Sequence, residues 1–474
     1  MSVIKFGTDG WRGIIAEEFT FDNVRLCAAA VAQYLRDQGL AGRGLVVGYD
    51  TRFASESFGA AVAEVTTASG VPTVLLDRPA PTPVVSYTIV HRGAGGGVVI
   101  TASHNPPQWN GFKYKPDYGG SASPEVVDAL EGIIGRLEAE APLARLPLEE
   151  AARRGLLERV DPRPAYLEQV ARLVDLEGIR KAGLSIVADA MYGAGAGYLP
   201  TLLSGGSTRL AELHGERNPV FPGMGQPEPV AQNLQALFQQ VKERHADVGV
   251  ALDGDADRVG TCDEQGRFLT PLQVFALLAL YLLEVRGQRG PIVKSLTSTA
   301  MLYRLGQRYQ VPVLEAPVGF KYIGPLMTEH QALIGGEESG GYGFRGHIPE
   351  RDGIVSGLFL LDMMVKTGKT PSQLLQWLYD LVGPHEYTRL DLPFAPARRP
   401  EVQRGLDKAS PARLAGLAVT GRDTTDGLRF TLAGGAWVVV RFSGTEPLLR
   451  VYAEAESQEL ARRLVEEMRQ LAGV

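Results

Sequence analysis

The chain has few cysteines and no surplus of basic charge, and each shortage removes a class of function. Its 474 residues include only Cys27 and Cys262. Two cysteines so far apart make neither a disulfide framework nor a thiolate zinc site; they read as buried, reduced thiols of a cytoplasmic protein. Lysine and arginine total 48 against 54 aspartate and glutamate, a formal charge of −6. No broad basic field exists to hold nucleic acid or an anionic membrane, so an anionic ligand would need local positive charge inside a cleft. Long hydrophobic runs are missing too. The longest, Val274 to Leu283, covers about half a bilayer and reads as a core helix. Residues Met1 to Asp9 carry no apolar signal-peptide region. No low-complexity segment or fixed-period residue repeat is present.

What is present is a soluble globular composition, 45% apolar and 22% charged, over a length that calls for about three or four domains. Thr20 to Gly39 predicts a helix with Val24, Ala28, Val31 and Leu35 on one face, capped by Thr20 and ended by Gly39. Leu45 to Tyr49 and Val71 to Leu76 read as strands around a helix over Phe58 to Ala68. Three α/β segments then share a layout in which an apolar strand opens into a special loop. Gly97 to Ile100 opens into the Ser103 loop, Asp247 to Leu252 into the Asp253 loop, and Ala332 to Ile334 into Gly335 to Gly343. Right-handed crossovers would put all three loops at strand carboxyl ends, where α/β folds bind ligands. The last segment differs. A hairpin is expected around Gly434-Gly435, then a strand over Arg450 to Ala453 and a closing helix capped by Ser457. Pro393 to Pro400 reads as a surface loop.

The most telling stretch is Thr101-Ala-Ser-His-Asn-Pro-Pro-Gln-Trp-Asn-Gly-Phe-Lys113. It sets Ser103 at the end of an apolar run, followed by His104, and the two prolines forbid a helix there. Ala102 and those prolines do not fit a Gly-x-Ser-x-Gly hydrolase elbow. A serine that carries a phosphoryl group needs cations nearby, and His104 and Lys113 are within the loop. In Asp253-Gly-Asp-Ala-Asp-Arg258 three carboxylates repel one another unless a cation neutralises them, and hard oxygens suit Mg²⁺. An EF-hand is excluded, because Arg258 stands where the turn glycine belongs and a strand, not a helix, precedes the loop. Gly336-Glu-Glu-Ser-Gly-Gly341 offers Glu337 and Ser339 for sugar hydroxyls, and His347 and Arg351 follow it. Arg441-Phe-Ser-Gly-Thr-Glu446, with Arg450 beyond, suits a phosphate cradle. Arg12 in the glycine-rich N-terminal run can reach a phosphate. Lys294, Gly319 and Lys321 lie at other strand ends of the third segment and are further substrate-binding candidates.

Taken in this order, the four motifs identify the chain as resembling the α-D-phosphohexomutase family, the phosphoglucomutase and phosphomannomutase enzymes, over essentially its whole length. The resemblance implies three similar α/β domains with mixed sheets and a C-terminal α+β domain around a central cleft, here residues 1–160, 161–264, 265–383 and 384–474. It implies that Ser103 is the phosphoserine and that Asp253, Asp255 and Asp257 hold one Mg²⁺ per chain, with a phosphate oxygen on Ser103 as a further ligand. Arg258, His104 and Lys113 would surround that phosphate. Glu337 and Ser339 would bind sugar hydroxyls, and Arg441, Ser443, Gly444 and Thr445 would grip the substrate's other phosphate.

The implied reaction passes a phosphoryl group from Ser103 to a hexose phosphate. The resulting hexose 1,6-bisphosphate, also expected as activator, turns over in the cleft and returns its other phosphate. Gripping two sugar orientations favours a mobile fourth domain. Lys113, His104 and His347 are candidate proton acceptors; Arg12 and Arg351 stay protonated and are poor ones. The dual-specificity branch reads Gly-Glu-Met-Ser-Gly-His, whereas Glu338 and Gly341 stand here. The glucose-preferring branch reads Gly-Glu-Glu-Ser, then His-Ile-x-Glu-Lys-Asp-Gly, which this chain matches with Arg351 for lysine. A glucosamine branch, Gly-Glu-Gln-Ser-Gly-His, is not matched. The expectation is a phosphoglucomutase acting as monomer or homodimer. The rivals are a dual phosphomannomutase/phosphoglucomutase and a non-catalytic sugar-phosphate-binding protein.

Overall fold

Short, fully buried strands paired in parallel form the middle of each of the first three sheets, as their unbroken apolar sequences require. The computed structural model describes residues 4–7, 9–138, 143–443 and 448–473. The first sheet runs Trp11–Ile14, Trp109–Pro116, Gly96–Ile100, Leu45–Tyr49, Thr73–Leu76 and Leu157–Val160. The second runs Phe268–Leu269, Val259–Cys262, Val248–Leu252, Ser185–Asp189 and Arg209–Leu213, so its edge strand lies beyond residue 264. The third runs Val313–Ala316, Ile292–Ser295, Ile334–Gly336 and Tyr342–Phe344.

In all three, the parallel strand that leads into a motif loop returns as an antiparallel neighbour. Gly96–Ile100 pairs with Trp109–Pro116, Val248–Leu252 with Val259–Cys262, and Ile334–Gly336 with Tyr342–Phe344. The Ser103, Asp253 and Glu337 loops are therefore hairpin connections between antiparallel neighbours. Each still stands at a strand carboxyl end.

Six antiparallel strands, from Glu386–Pro393 to Leu448–Ala455, form a sheet on which the helix Gln458–Ala472 packs. That helix starts at Ser457, whose hydroxyl accepts from Leu460 N, a capping pattern repeated by Thr20 before Phe21–Asp37. The stretch over Pro393 to Pro400 is not a plain loop. It contains a 3₁₀ turn, Pro396–Arg398, and opens the helix Arg399–Lys408, with Pro400 in the first turn, where a missing N–H costs nothing. Val274 to Leu283 is buried throughout, partly as an α-helix and partly as the π-turn Tyr281–Val285. Among the described residues no helix is long and apolar enough to cross a membrane.

The cores explain what holds the cleft. One apolar cluster runs continuously through the first three domains, from Val84 and Ile89 through Val170 and Leu199 to Leu277 and Leu358. The fourth domain has its own core around Val438, Val451 and Leu464. Its apolar contact with the third is a thin seam of Leu296, Trp437, Val439 and Tyr452, flanked by polar contacts of Arg429 with Glu315 and of Glu454 with Thr299.

Candidate functional site

The Ser103 loop is held in an uncommon shape. Ser103 has φ 52°, a left-handed conformation that costs a non-glycine residue about 1–2 kcal/mol. Its N–H donates to Thr101 Oγ1 at 2.8 Å. Its Oγ donates to Asp253 Oδ2 at 3.0 Å and lies 3.3 Å from His104 Nδ1. Ser103 thus touches the carboxylate loop of the second domain directly, although 150 residues separate the two in sequence.

Asp253, Asp255 and Asp257 are fully buried, with oxygens within 4.8 Å of one another. Asp257 Oδ2 is ion-paired with Arg351 at 2.8 Å, but Asp255 Oδ1 and Asp257 Oδ1 have no hydrogen bond, and buried oxygens of that kind on three converging hard carboxylates fit a divalent cation such as Mg²⁺. Burial and the neighbouring carboxylates push the Asp253 carboxyl well above its usual range. Burial also acts against Asp255, but the Lys113 ammonium and the Thr82 hydroxyl outweigh it and hold that carboxyl low. The contrast follows geometry: Lys113 Nζ is 2.9 Å from Asp255, whereas its other ion pairs go to Asp9 and Asp257, not to Asp253. A cation among the three would lower them all.

A charged lattice the sequence did not reveal surrounds this centre. Lys113 Nζ also lies 2.9 Å from Asp9 and 3.6 Å from Asp257. Arg351 contacts Asp257 at 2.8 Å, Asp9 at 3.0 Å, Glu350 at 3.2 Å and Glu337 at 3.3 Å. Lys115, fully buried, pairs with Glu350 at 2.5 Å and Asp9 at 3.1 Å. Lys113 and Lys115 share one face of the strand Trp109–Pro116 by its period of two, and that alternation was the available signal for Lys115. Burial opposes the Lys113 ammonium, yet Asp255, Asp9 and Asp257 outweigh it and raise its pKa above the ordinary lysine value. Lys113 therefore stays protonated. His104 is the reverse case: burial and then Arg258 and Arg12 hold its imidazole well below the usual histidine range, so it is neutral near pH 7.

Beside this centre a cavity of about 120 Å³ is lined by all four domains. The first contributes Asp9, Arg12 and His104, and the second Glu228 and Arg258. Glu337, Glu338, Ser339 and Arg351 come from the third, and Arg389, Arg441, Ser443 and Arg450 from the fourth. Six arginines face four carboxylates in that lining, which supplies the local positive charge that the acidic chain lacks overall. Arg12 donates to Asn105 Oδ1 across the Ser103 loop, and Arg258 pairs with Glu228 at 3.3 Å. Arg441 is held by Asp426 at 3.2 Å, and Arg389 by Asp391 at 2.5 Å. Glu337 is buried deeply enough that its carboxyl is pushed up to about 7, although Arg351 opposes the shift. Glu338 accepts from Ser295 Oγ at 3.0 Å and Thr297 Oγ1 at 2.6 Å.

Ser103 and Lys113 meet the aspartates just behind this cavity, whereas three predicted side chains reach neither the cavity nor the aspartates. His347 is buried between Tyr87 and Tyr166, with Nε2 2.9 Å from Asp352, and Asp352 caps the helix Gly353–Thr367. The imidazole braces a helix start and cannot serve as proton acceptor in the cleft. Lys294 turns into a separate cavity of about 580 Å³ between the third and fourth domains, paired with Glu315 at 3.0 Å. Lys321 lies in the first turn of the helix Phe320–Glu329, with Nζ 5.2 Å from the Tyr322 ring. Gly319 precedes that helix at φ 129°, between Val318 and Phe320, which do line the cleft. Gly444 and Thr445 lie outside the described residues. Sequence reasoning missed Asp9, Lys115, Glu228, Glu350 and Arg389.

Comparison with known proteins matches four family models along the chain. They are the phosphoglucomutase/phosphomannomutase alpha/beta/alpha domains I, II and III, over residues 3–141, 164–266 and 270–382, and the C-terminal domain over 398–471. A phosphoglucomutase/phosphomannomutase of Thermococcus kodakarensis is 34% identical, covering 97% of this chain and 96% of the relative. A protein of Methanopyrus kandleri that carries the name phosphoglucosamine mutase is 32% identical over 98% of this chain and 96% of its own. A crystal structure from Thermus thermophilus, bearing the name phosphomannomutase, is 38% identical and superposes with a TM-score of 0.87 over 100% of both chains.

Proposed function

We propose that this chain, which belongs to the phosphoglucomutase/phosphomannomutase family of phosphohexomutases, interconverts glucose 1-phosphate and glucose 6-phosphate. The observation that carries the mutase chemistry is the Ser103 hydroxyl bonded to Asp253, next in the chain to His104, which lines a cavity that four domains surround with arginines. The glucose preference rests on the Glu337-Glu338-Ser339 loop. Glu338 stands where the dual-specificity branch has methionine, and the Ser295 and Thr297 hydroxyls fix it at the cavity wall.

In the proposed cycle Ser103 carries the phosphoryl group. A free sugar hydroxyl attacks the phosphorus, the bond to Ser103 Oγ breaks, and the sugar becomes a 1,6-bisphosphate. After the sugar reverses, Ser103 Oγ attacks its other phosphorus and the isomeric monophosphate leaves. Arg12 and Arg258 face the transferring group, and Arg441, Ser443 and Arg450 suit the resting phosphate. Of the acceptors expected from sequence, His104 alone is both in the cleft and neutral, and it exchanges the proton of Ser103 Oγ. Glu337, near neutrality, is the second acid–base group: its carboxylate takes the proton of the attacking sugar hydroxyl, and its acid form returns one to the sugar oxygen that leaves. Asp253, Asp255 and Asp257 would hold one Mg²⁺, which when bound supplies positive charge to the transferring phosphoryl oxygens. A trace of hexose 1,6-bisphosphate would prime Ser103.

The test is kcat/KM measured side by side for the 1-phosphates of glucose, mannose and glucosamine, with Mg²⁺ and a trace of the 1,6-bisphosphate. A strong preference for the glucose compound is expected. Equal values for glucose and mannose would replace this reading with a dual mutase. A preference for the amino sugar would align the chain with its phosphoglucosamine-named relative.

A further inference from the structure

Arg52 is fully buried and none of its nitrogens faces the cleft. Its Nη1 donates to the carbonyls of Pro106 at 2.9 Å and Trp109 at 3.1 Å. Its Nη2 donates to the carbonyls of Ser103 at 2.6 Å and Asn105 at 2.5 Å. Four N–H groups of one guanidinium thus meet four carbonyls of the same hairpin loop. The remaining nitrogen, Nε, faces Asp50 at 3.3 Å. Asp50 is itself fixed by the Ser55 hydroxyl at 2.7 Å and the Arg52 N–H at 2.9 Å.

The loop needs such a partner. Prolines 106 and 107 remove two of its own donors, and carbonyls turned away from solvent must be paired. The second domain holds the clamp from behind. The Phe221 ring lies 5.0 Å from the guanidinium carbon, and Arg217 donates to the carbonyls of Thr51 at 3.0 Å and Arg52 at 3.2 Å. The clamp therefore sits where the serine loop and the domain of the three aspartates join.

We propose that Arg52 is the positioning residue of Ser103: by holding four loop carbonyls it keeps Ser103 in its left-handed conformation, with Oγ aimed at Asp253. Lysine cannot replace it, because an ammonium has three donors on one atom and cannot span the four carbonyls. The inference rests on Ser103 as the phosphoryl carrier.

The test compares wild type with Arg52→Lys and Arg52→Ala, following kcat, KM for glucose 1-phosphate, phosphate on Ser103 by intact mass, and the phosphoserine ³¹P resonance. Arg52→Lys is expected to lower kcat about a hundredfold with little change in KM, as for a displaced reacting group. The ³¹P line should shift or broaden, and low guanidinium chloride should restore part of the activity of Arg52→Ala. Wild-type kcat in Arg52→Lys, with phosphate present on Ser103 of the wild type, would overturn the positioning role alone. So would equal changes in kcat and KM with an unmoved ³¹P line, which would make Arg52 a scaffold residue only. If Arg52→Ala does not fold, the lysine variant carries the test. Absence of phosphate from Ser103 in active wild type would overturn the carrier reading and the inference with it.

Discussion

A Cβ on Gly254 would collide with the carbonyl oxygen of Ser103. The serine loop and the aspartate loop approach one another at a glycine, and the hydrogen bond from Ser103 to Asp253 depends on that closeness. Gly254→Ala forces the loops apart. It is expected to cost about 1–3 kcal/mol of stability and to lower kcat by about ten- to a hundredfold with KM little changed. Steady-state kinetics beside a urea unfolding curve check both, and an unchanged kcat would show that the approach is not needed.

Asp257 is buried beside Asp253 and Asp255; its Oδ2 is ion-paired with Arg351 at 2.8 Å and its Oδ1 has no hydrogen bond. Asp257→Asn should lower Mg²⁺ affinity by at least about a hundredfold, since even residues behind metal ligands are worth about 10–100-fold. Calorimetric titration of Mg²⁺ into both proteins reads this independently of turnover. Chelation should abolish wild-type activity, and added Mg²⁺ should restore it. Equal titration curves would exclude Asp257 as a ligand.

Glu337 gives stability a pH slope. Its folded pKa is about 7 against an ordinary 4.5, so the folded chain keeps a proton that the unfolded chain has released. The associated stability is fully present below about pH 4.5 and is lost as pH rises through about 7; integrated, it is roughly 3 kcal/mol. Glu337→Gln removes that dependence. Denaturant midpoints across this window should fall for wild type and stay flatter for the variant, whereas parallel slopes would mean Glu337 is ionised throughout.

Lys115 and Glu350 form a fully buried pair between the first and third domains. Removing Glu350 leaves Lys115 only Asp9, which Lys113 and Arg351 also share, and removing Lys115 leaves Glu350 only Arg351. Lys115→Met or Glu350→Gln alone should cost about 3–5 kcal/mol, and the double variant clearly less than their sum. Additive losses in a urea double-mutant cycle would show that the pair is not coupled.

Much of this site is legible in the sequence because its residues lie in loops with marked composition. Ser103, the three aspartates and Glu337 each follow an apolar strand, and the structure brings their loops, with Arg12 and Arg441, to one cavity region. What was not legible depends on register and on distant pairing. The sequence reading puts Lys294 at a strand end, but the strand Ile292–Ser295 runs past it. Lys294 is therefore inside it, and alternation sends its side chain away from Glu338 while Ser295 faces it. His347 looked like chemistry because ionisable groups surround it, yet Asp352 uses it to brace a helix cap. Arg52 sits in a run, Asp-Thr-Arg, with no local hint that a loop about fifty residues on would close over it.

The thin seam between the third and fourth domains has a thermodynamic consequence. Three domains share one apolar cluster and should unfold as one block, whereas the fourth carries its own core and meets them through a small apolar seam and polar contacts such as Arg429 with Glu315. To heat or denaturant the chain is two cooperative bodies, so its melting should show two transitions, not one. A bound sugar phosphate gripped from both sides would draw the two transitions together.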